Sequence, residues 1–403
     1  MDRLRSLKAL LHDAVDATTE LVSEGHASAA RTTVAALSTV PGLAEPVAAV
    51  DMVRGVTTEA VLASVRAVNR VVEVASDAAL DVTTTQSGPA DTVPMHAEAL
   101  FTAAGAADQL TGVLNGFVGD HLRHRRNGLD LGMALRHGAR VLDVSDPDSL
   151  SELGDRVVVL VHGLSTTEAS WSLGADRALG DPAATFGTLL EQDLGYTPVY
   201  ARYNTGLRVA ESGLALATLL ERLHAAHPLR ELVLLGHSMG GLVSRAATHA
   251  ATEQGHGWRD ALTHVVCLGS PHGGAPLARF GELAASALGA VDLPATRIIG
   301  QLIGGRSVGI RDLEREHAPD LGPLLDDVTY LFLAGAALPD PDHAAARAVG
   351  DLLVDVRSAE GPDHAHPNVN RRRLGGVLHH AIQVDRRAYD ELHAVLAGTA
   401  PGA

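Results

Sequence analysis

The sequence predicts an α/β fold in which a mostly parallel β-sheet follows a helical region. From about Arg156 onward, short apolar and often β-branched runs alternate with stretches of helical periodicity. Runs of this length are typical of strands that are buried on both faces of a parallel sheet. The clearest runs are Val157–Val161, Leu232–Leu235, Val265–Leu268 and Thr329–Gly335.

The chain divides into two predicted parts. Residues 1–140 carry apolar positions at helical spacing, as at Val61, Val65 and Val68, and are expected to form a mostly helical region of unknown role. Residues 150–403 are expected to form the α/β domain. Within it, the stretch at about 276–323 is too long for an ordinary connection and predicts a cap insertion above the sheet.

Composition excludes several classes of partner. With 32 Lys and Arg against 48 Asp and Glu, the net charge is −16, which repels nucleic acid and anionic lipid headgroups. The single cysteine, Cys267, cannot form an intrachain disulfide. No signal-peptide pattern follows the first residues, and no window approaches the roughly 20 apolar residues of a transmembrane helix. We therefore expect a cytoplasmic protein without a transmembrane segment.

A glycine-rich motif follows the second apolar run. Leu232–Leu235 leads into Gly236-His237-Ser238-Met239-Gly240, and a helical pattern begins directly afterwards. A serine on a sharp turn between strand and helix needs a strained backbone, and glycines two positions away on either side remove side chains that would clash. The motif predicts that Ser238 is a nucleophile with an exposed hydroxyl at a helix N-terminus.

The first apolar run ends at a second motif, His162-Gly163-Leu164. Acyl transfer to a serine needs donors for the negative charge that develops on the carbonyl oxygen. The residue after the nucleophile and a residue in an earlier strand-to-helix loop supply these N–H groups. Met239 and Leu164 are the predicted donors, and His162 is expected to brace the loop.

The remaining catalytic groups are expected downstream in the order acid, then base. Asp351 follows the run Thr329–Gly335 and is the predicted acid; Asp355 is the alternative. Asp340 and Asp342 are expected in an exposed turn between prolines. Two histidines, His379 and His380, follow the acid, and His379 is preferred as the base because of its place after a glycine loop and before a final helix.

Two further segments bear on the substrate. Arg371–Arg373 is interpreted as a basic, exposed turn rather than a site for an anionic substrate. Apolar residues of the predicted cap favour a hydrophobic acyl group. They include Leu283, Leu288, Ile298, Ile299, Leu302 and Ile303.

These motifs resemble the bacterial lipase and esterase branch of the α/β hydrolases, including PGAP1-like proteins. The resemblance runs from about Arg156 to the C-terminus, and it does not extend to residues 1–140. It rests on four blocks, namely Val159–Leu164, Tyr203–Gly206, Leu235–Val243 and Leu268–Pro276.

The resemblance implies an α/β-hydrolase fold and assigns two positions. In that family the acid of a Gly-Asp-x-Leu-Val segment is catalytic, and Gly350–Val354 is similar. The family's histidine commonly heads a short segment about ten residues before a tyrosine, which fits His379 and Tyr389.

Together the motifs predict a serine hydrolase that cleaves a small-molecule carboxylic ester through an acyl-enzyme, with no cofactor and no metal. Two alternatives remain open. An acyltransferase or thioesterase would use the same fold with another acceptor or leaving group. An interaction protein would use the N-terminal helices to bind an unknown protein partner, with a degenerate hydrolase domain as scaffold.

Overall fold

The computed structural model describes residues 103–275, 307–313, 321–362 and 366–399. Most of the predicted helical region and most of the predicted cap insertion, including the apolar residues named above, lie outside these ranges. Within them, no helix is long and apolar enough to cross a membrane.

The described residues contain one eight-stranded β-sheet. Its strands are β1 (Met133–His137), β2 (Arg140–Val141), β3 (Arg156–Val161), β4 (Thr197–Tyr203), β5 (Glu231–His237), β6 (Leu262–Leu268), β7 (Thr329–Ala336) and β8 (Val369–Gly375). Their order is β2-β1-β4-β3-β5-β6-β7-β8. β1 is antiparallel to both of its neighbours, and every pairing from β4 to β8 is parallel.

Helices connect the strands. They are α1 (Ala103–His124), α2 (Pro147–Leu150), α3 (Ala175–Ala178), α4 (Phe186–Leu194), α5 (Val209–Ala226), α6 (Met239–Gln254), α7 (Val308–Leu313), α8 (Ala344–Val349), α9 (Val356–Ala359) and α10 (Arg386–Leu396). Short 3-10 helices span Glu168–Ser172 and Gly257–Ala261. Local sequence sets several ends: Thr185 forms a capping box before α4, and Gly195 ends α4 with φ 71°.

Apolar layers cover both faces of the sheet. Alternate residues of β3 point to opposite sides, so that Val157 and Val159 pack with α5 and α6 while Val158 and Leu160 pack with α4 and α10. All four side chains are fully buried. Burial on both faces explains why the sequence of a central strand is a continuous apolar run.

The strand order reverses between β3 and β5, and this reversal positions the candidate site. The chain leaves β3 for β4 on one side and returns to β5 on the other. In open parallel sheets, ligands bind beyond the carboxyl ends of the strands at such a reversal. The loops after β3 and β5 meet there.

The four predicted strands correspond to β3, β5, β6 and β7, and the predicted mostly parallel α/β sheet is confirmed. The interpretation of Arg371–Arg373 as an exposed turn is wrong, because these residues form part of β8. Each guanidinium makes hydrogen bonds to nearby acceptors, which the sequence alone does not reveal.

The sheet includes residues before position 140. β1 lies before it and pairs with β4, and α1 belongs to the same compact unit as the sheet. β1 contains Arg136 and His137 and only five residues, so it lacks the apolar run by which the buried strands were predicted.

Candidate active site

Ser238 occupies the turn between β5 and α6. Its backbone has φ 53° and ψ −124°, a conformation that a residue with a side chain rarely adopts. Such strain persists only where the surrounding structure enforces it, and it concentrates at functional sites. The Ser238 N–H donates to the Leu268 carbonyl at 2.8 Å, which ties the turn to the end of β6.

The two glycines of the motif are required by close packing. A Cβ on Gly236 would lie 2.3 Å from the carbonyl carbon of Gly240, and a Cβ on Gly240 would lie 2.0 Å from the Val161 carbonyl oxygen. Neither neighbour is a flexible side chain. A larger residue at position 236 would therefore push the start of α6 away from β5, and one at position 240 would push it away from β3.

The Ser238 hydroxyl is not exposed as the sequence predicted, because the residue is only 3% exposed. The loop after β3 is one reason: a Cβ on Gly163 would lie 3.2 Å from the Ser238 Cβ. The imidazole of His379 is the other. Its Nε2 lies 2.8 Å from the Ser238 Oγ.

His379 also contacts the predicted acid. Its Nδ1 lies 2.7 Å from Oδ2 of Asp351, so one buried imidazole bridges the hydroxyl and the carboxylate. The His379 main-chain N–H donates to the Asp351 carbonyl at 3.1 Å, which fixes the two loops relative to each other. The alternative base, His380, is exposed and is not part of this chain of contacts.

Asp351 is held from both sides. Its Oδ1 accepts hydrogen bonds from the N–H groups of Leu353 and Val354, at 3.0 and 2.9 Å, which leaves Oδ2 for His379. The alternative acid, Asp355, instead caps α9 by accepting from the Ser358 N–H at 2.8 Å. Asp340 and Asp342 are exposed, as expected.

The predicted N–H donors, Leu164 and Met239, belong to segments next to Ser238. Met239 is the first residue of α6, where main-chain N–H groups lack acceptors within the helix. Leu164 follows Gly163, whose backbone approaches Ser238. Among the residues that the structure describes, neither N–H donates a hydrogen bond.

His162 braces this loop, which we call the β3 loop (residues 162–167). Burial lowers the pKa of His162 to about 4, so the ring is neutral. The ring stacks on Tyr203 at 4.5 Å, and the Tyr203 hydroxyl donates to the His162 carbonyl at 2.8 Å.

The comparisons with known proteins concern this same region. The family described as "PGAP1-like alpha/beta domain" matches residues 213–285, from within α5 through Ser238 to the segment after β6. The match covers the strand-turn-helix unit of the sheet whose order is given above. Over these residues the chain is similar to that family.

Solved structures similar to this chain include a lipase, a thioesterase and a carboxylesterase. The mature lipase BlEst2 of Bacillus licheniformis is 19% identical, covers 60% of this chain and 91% of its own, and has a TM-score of 0.37. The RedJ thioesterase from the prodiginine pathway of Streptomyces coelicolor is 17% identical, covers 63% of this chain and 92% of its own, and has a TM-score of 0.37. The carboxylesterase CesB of Bacillus subtilis is 13% identical, covers 60% of this chain and 84% of its own, and has a TM-score of 0.35. Likeness at this level says nothing about activity, and no curated protein matches the sequence.

One residue of the candidate site, His237, was not predicted from the sequence to take part in it. His237 precedes Ser238, and its Nε2 lies 2.9 Å from the His379 carbonyl oxygen. Burial, and then the nearby His379, lower the pKa of His237 to about 3, so a neutral ring donates this hydrogen bond. His237 stands directly before Ser238 in the glycine-rich motif, but the sequence does not show that its hydrogen-bond partner lies 142 residues away.

Proposed function

We propose that this protein is a serine hydrolase that cleaves carboxylic esters through an acyl-enzyme. The observation that carries the proposal is the bridge made by His379, at 2.8 Å from Ser238 Oγ and 2.7 Å from Asp351 Oδ2. A nucleophile, a base and an orienting carboxylate in hydrogen-bond contact are the arrangement that acyl transfer requires.

In the acylation step, the Ser238 Oγ attacks the ester carbonyl carbon while His379 Nε2 takes the hydroxyl proton. Asp351 accepts from Nδ1–H, which fixes the tautomer with a free Nε2 and stabilises the imidazolium that forms. Collapse of the tetrahedral intermediate breaks the bond to the leaving alkoxide, and the imidazolium returns its proton to that oxygen. The alcohol leaves, and the acyl group stays on Ser238.

The tetrahedral oxyanion is stabilised by the N–H groups of Leu164 and Met239. Both are main-chain donors, so they are fixed by the backbone and need no reorganisation during the reaction. The Met239 N–H also lies at the positive end of α6. In the second half of the cycle, His379 removes a proton from water as the water oxygen attacks the acyl carbon. The bond from that carbon to Ser238 Oγ then breaks, the imidazolium returns its proton to Oγ, and the acid leaves.

Replacement of Ser238 tests the proposal. Ser238→Ala removes the attacking oxygen, so we expect ester hydrolysis to fall by about 10⁴-fold or more and fluorophosphonate labelling to disappear. Thermal unfolding of the variant should be nearly unchanged, because the hydroxyl adds little packing. Hydrolysis of a p-nitrophenyl ester and labelling with a fluorophosphonate probe measure the two effects.

The matched control is Ser244→Ala. Ser244 lies on α6, and its buried hydroxyl donates only to the Gly240 carbonyl at 2.8 Å. This variant should keep its activity and its labelling. A folded wild-type protein that neither hydrolyses esters nor reacts with the probe would contradict the proposal and would favour the scaffold alternative.

For the substrate, we propose an ester with a hydrophobic acyl group. The support is the apolar composition of residues 276–323, which follow the loop after β6 in the sequence. A panel of p-nitrophenyl esters with acyl chains of about two to twelve carbons tests this choice. Values of kcat/KM that do not rise beyond the acetate ester would contradict it.

A further inference from the structure

A buried group of four charged side chains lies next to the β3 loop. We call it the charge cluster; it comprises Asp108, Arg136, Glu168 and Arg202, which are 1, 3, 2 and 7% exposed. Its two guanidinium groups and two carboxylates balance in charge. Burial of ions costs free energy even when they are paired. We therefore ask which segments of the chain this cluster connects.

Arg202 on β4 is the centre of the cluster. Its Nη1 and Nη2 donate to the two carboxylate oxygens of Asp108 on α1, each at 2.9 Å. Its Nε and Nη2 donate to the two oxygens of Glu168, each at 2.7 Å. Nε of Arg136 on β1 lies 3.1 Å from Glu168 Oε1. Paired, planar contacts of this type fix orientation as well as distance.

The cluster ends on the β3 loop. Glu168 is the fourth residue after Leu164 and begins the 3-10 helix that follows the loop. Thr167 adds a direct link, because its hydroxyl donates to Asp108 Oδ2 at 3.2 Å. The segment that carries the proposed Leu164 donor is therefore attached to α1 through Asp108 at two successive positions.

Helix α1 also packs closely against this loop at two glycines. A Cβ on Gly116 would lie 1.9 Å from the Ser165 hydroxyl oxygen, and a Cβ on Gly112 would lie 3.0 Å from the Thr166 carbonyl carbon. Ser165, directly after Leu164, has φ 60°. A strained backbone of this kind keeps its shape only where neighbours hold it.

We propose that α1, through Asp108, is a positioning element for the Leu164 N–H. The inference rests on the proposed function. Asp108 does not touch the reacting atoms; it acts by holding Thr167 and, through Arg202, Glu168, which together fix the loop. A donor that is aimed at the oxyanion stabilises the transition state more than the bound ester. Loss of the anchor is therefore expected to lower kcat and to leave KM nearly unchanged.

Thr167→Val is the decisive variant. It removes the hydroxyl that links the loop to Asp108 and keeps the shape of the side chain and every charge of the cluster. We expect kcat for ester hydrolysis to fall by about tenfold, with KM within about twofold of wild type, because a donor displaced by a fraction of an ångström loses part of its effect. Asp108→Asn, which also removes a charge, is expected to lower kcat further.

Conservative and distant controls separate positioning from general damage. Asp108→Glu keeps the carboxylate and should recover part of the kcat lost in Asp108→Asn. Gln109→Ala alters the neighbouring exposed residue of α1, and Glu231→Gln breaks the Arg156 ion pair at the opposite end of β5. Both should keep the wild-type kcat.

Active-site titration with a fluorophosphonate completes the experiment. Stoichiometric but slower labelling of Thr167→Val would show that the Ser238 site is intact and that its charge stabilisation is impaired. Wild-type kcat in folded Thr167→Val, or a loss confined to KM, would overturn the inference while the esterase proposal stands. If Asp108→Asn does not fold, Thr167→Val and Asp108→Glu decide. A wild-type protein without esterase activity would instead contradict the proposed function itself.

Discussion

The orientation of the His379 ring depends on one oxygen atom of Asp351. Two N–H groups hold Oδ1, and Oδ2 alone faces the imidazole. A carboxylate serves both sides because each oxygen only accepts hydrogen bonds, whereas an amide has an NH₂ group in place of one of them. The identity of this side chain therefore controls which tautomer of His379 is present.

Asp351→Asn tests this dependence. An asparagine that keeps its oxygen towards the Leu353 and Val354 amides turns NH₂ towards His379 and favours the tautomer that cannot accept the Ser238 proton. We expect kcat for ester hydrolysis to fall by about 10⁴-fold with little change in folding.

The control for this prediction is Asp355→Asn. Asparagine caps helices about as well as aspartate, so α9 should be retained and activity should stay at the wild-type level. If kcat of the Asp351→Asn variant stays within about tenfold of the wild-type value, that result would count against Asp351 as the catalytic acid.

At this scale the sequence predicted three side chains that the structure brings into contact, but not the contacts between distant charged residues. Ser238 could be found because its glycines are local, and Asp351 and His379 because their order along the chain is restricted. Arg202 and Asp108 could not be paired in advance, since 94 residues separate them and both residue types are usually exposed.

Among the elements, the turn between β5 and α6 depends most closely on its contact with β3. Gly240 meets the Val161 carbonyl, and this contact keeps the first turn of α6 against the end of β3. The shape of this turn, which we call the elbow, is thus determined by main-chain packing among β3, β5 and α6.

Gly240→Ala should disturb that contact. A Cβ at 2.0 Å from the Val161 oxygen must displace backbone, so we expect a loss of about 2 kcal/mol in the free energy of unfolding, together with reduced activity. Urea unfolding measures the first effect.

Gly257→Ala is the comparison for this variant. A Cβ on Gly257 would make an ordinary 3.5 Å contact with the His224 ring. Its unfolding free energy should stay within about 0.5 kcal/mol of wild type. Equal stability of the two variants would refute the account of the elbow.

The strands themselves differ in how far they could be predicted. β3, β5, β6 and β7 are buried on both faces and have apolar runs. β4 contains Pro198 and Arg202, and β8 contains Arg371–Arg373, so a proline and charged residues interrupt the pattern. The charged side chains of both strands bond to residues outside their own strand, and only the folded chain shows this.

For the molecule as a whole, buried histidines link stability to pH. Burial lowers the pKa of His162 to about 4 and of both His237 and His272 to about 3. In the unfolded chain the same groups have pKa values of about 6.5. Below that pH the unfolded state takes up protons that the folded state refuses, so these residues favour unfolding as the pH falls.

We therefore expect the free energy of unfolding to fall between about pH 6.5 and 4, by as much as about 1.4 kcal/mol per pH unit for each histidine. Urea unfolding at several pH values measures the slope. In His272→Gln one titrating group is removed, and the slope should be shallower by one histidine. A stability that does not change between pH 7 and 5 would be inconsistent with neutral buried histidines.

The early position of β1 has a practical consequence for anyone who prepares the sheet-containing part of the chain as a fragment. A fragment that starts at residue 150, where the sequence alone suggests a beginning, would discard β1 and β2 and leave the flank of β4 as an open edge that invites self-association. It would also strip Arg202 of Asp108. The smallest useful fragment therefore extends back at least through α1.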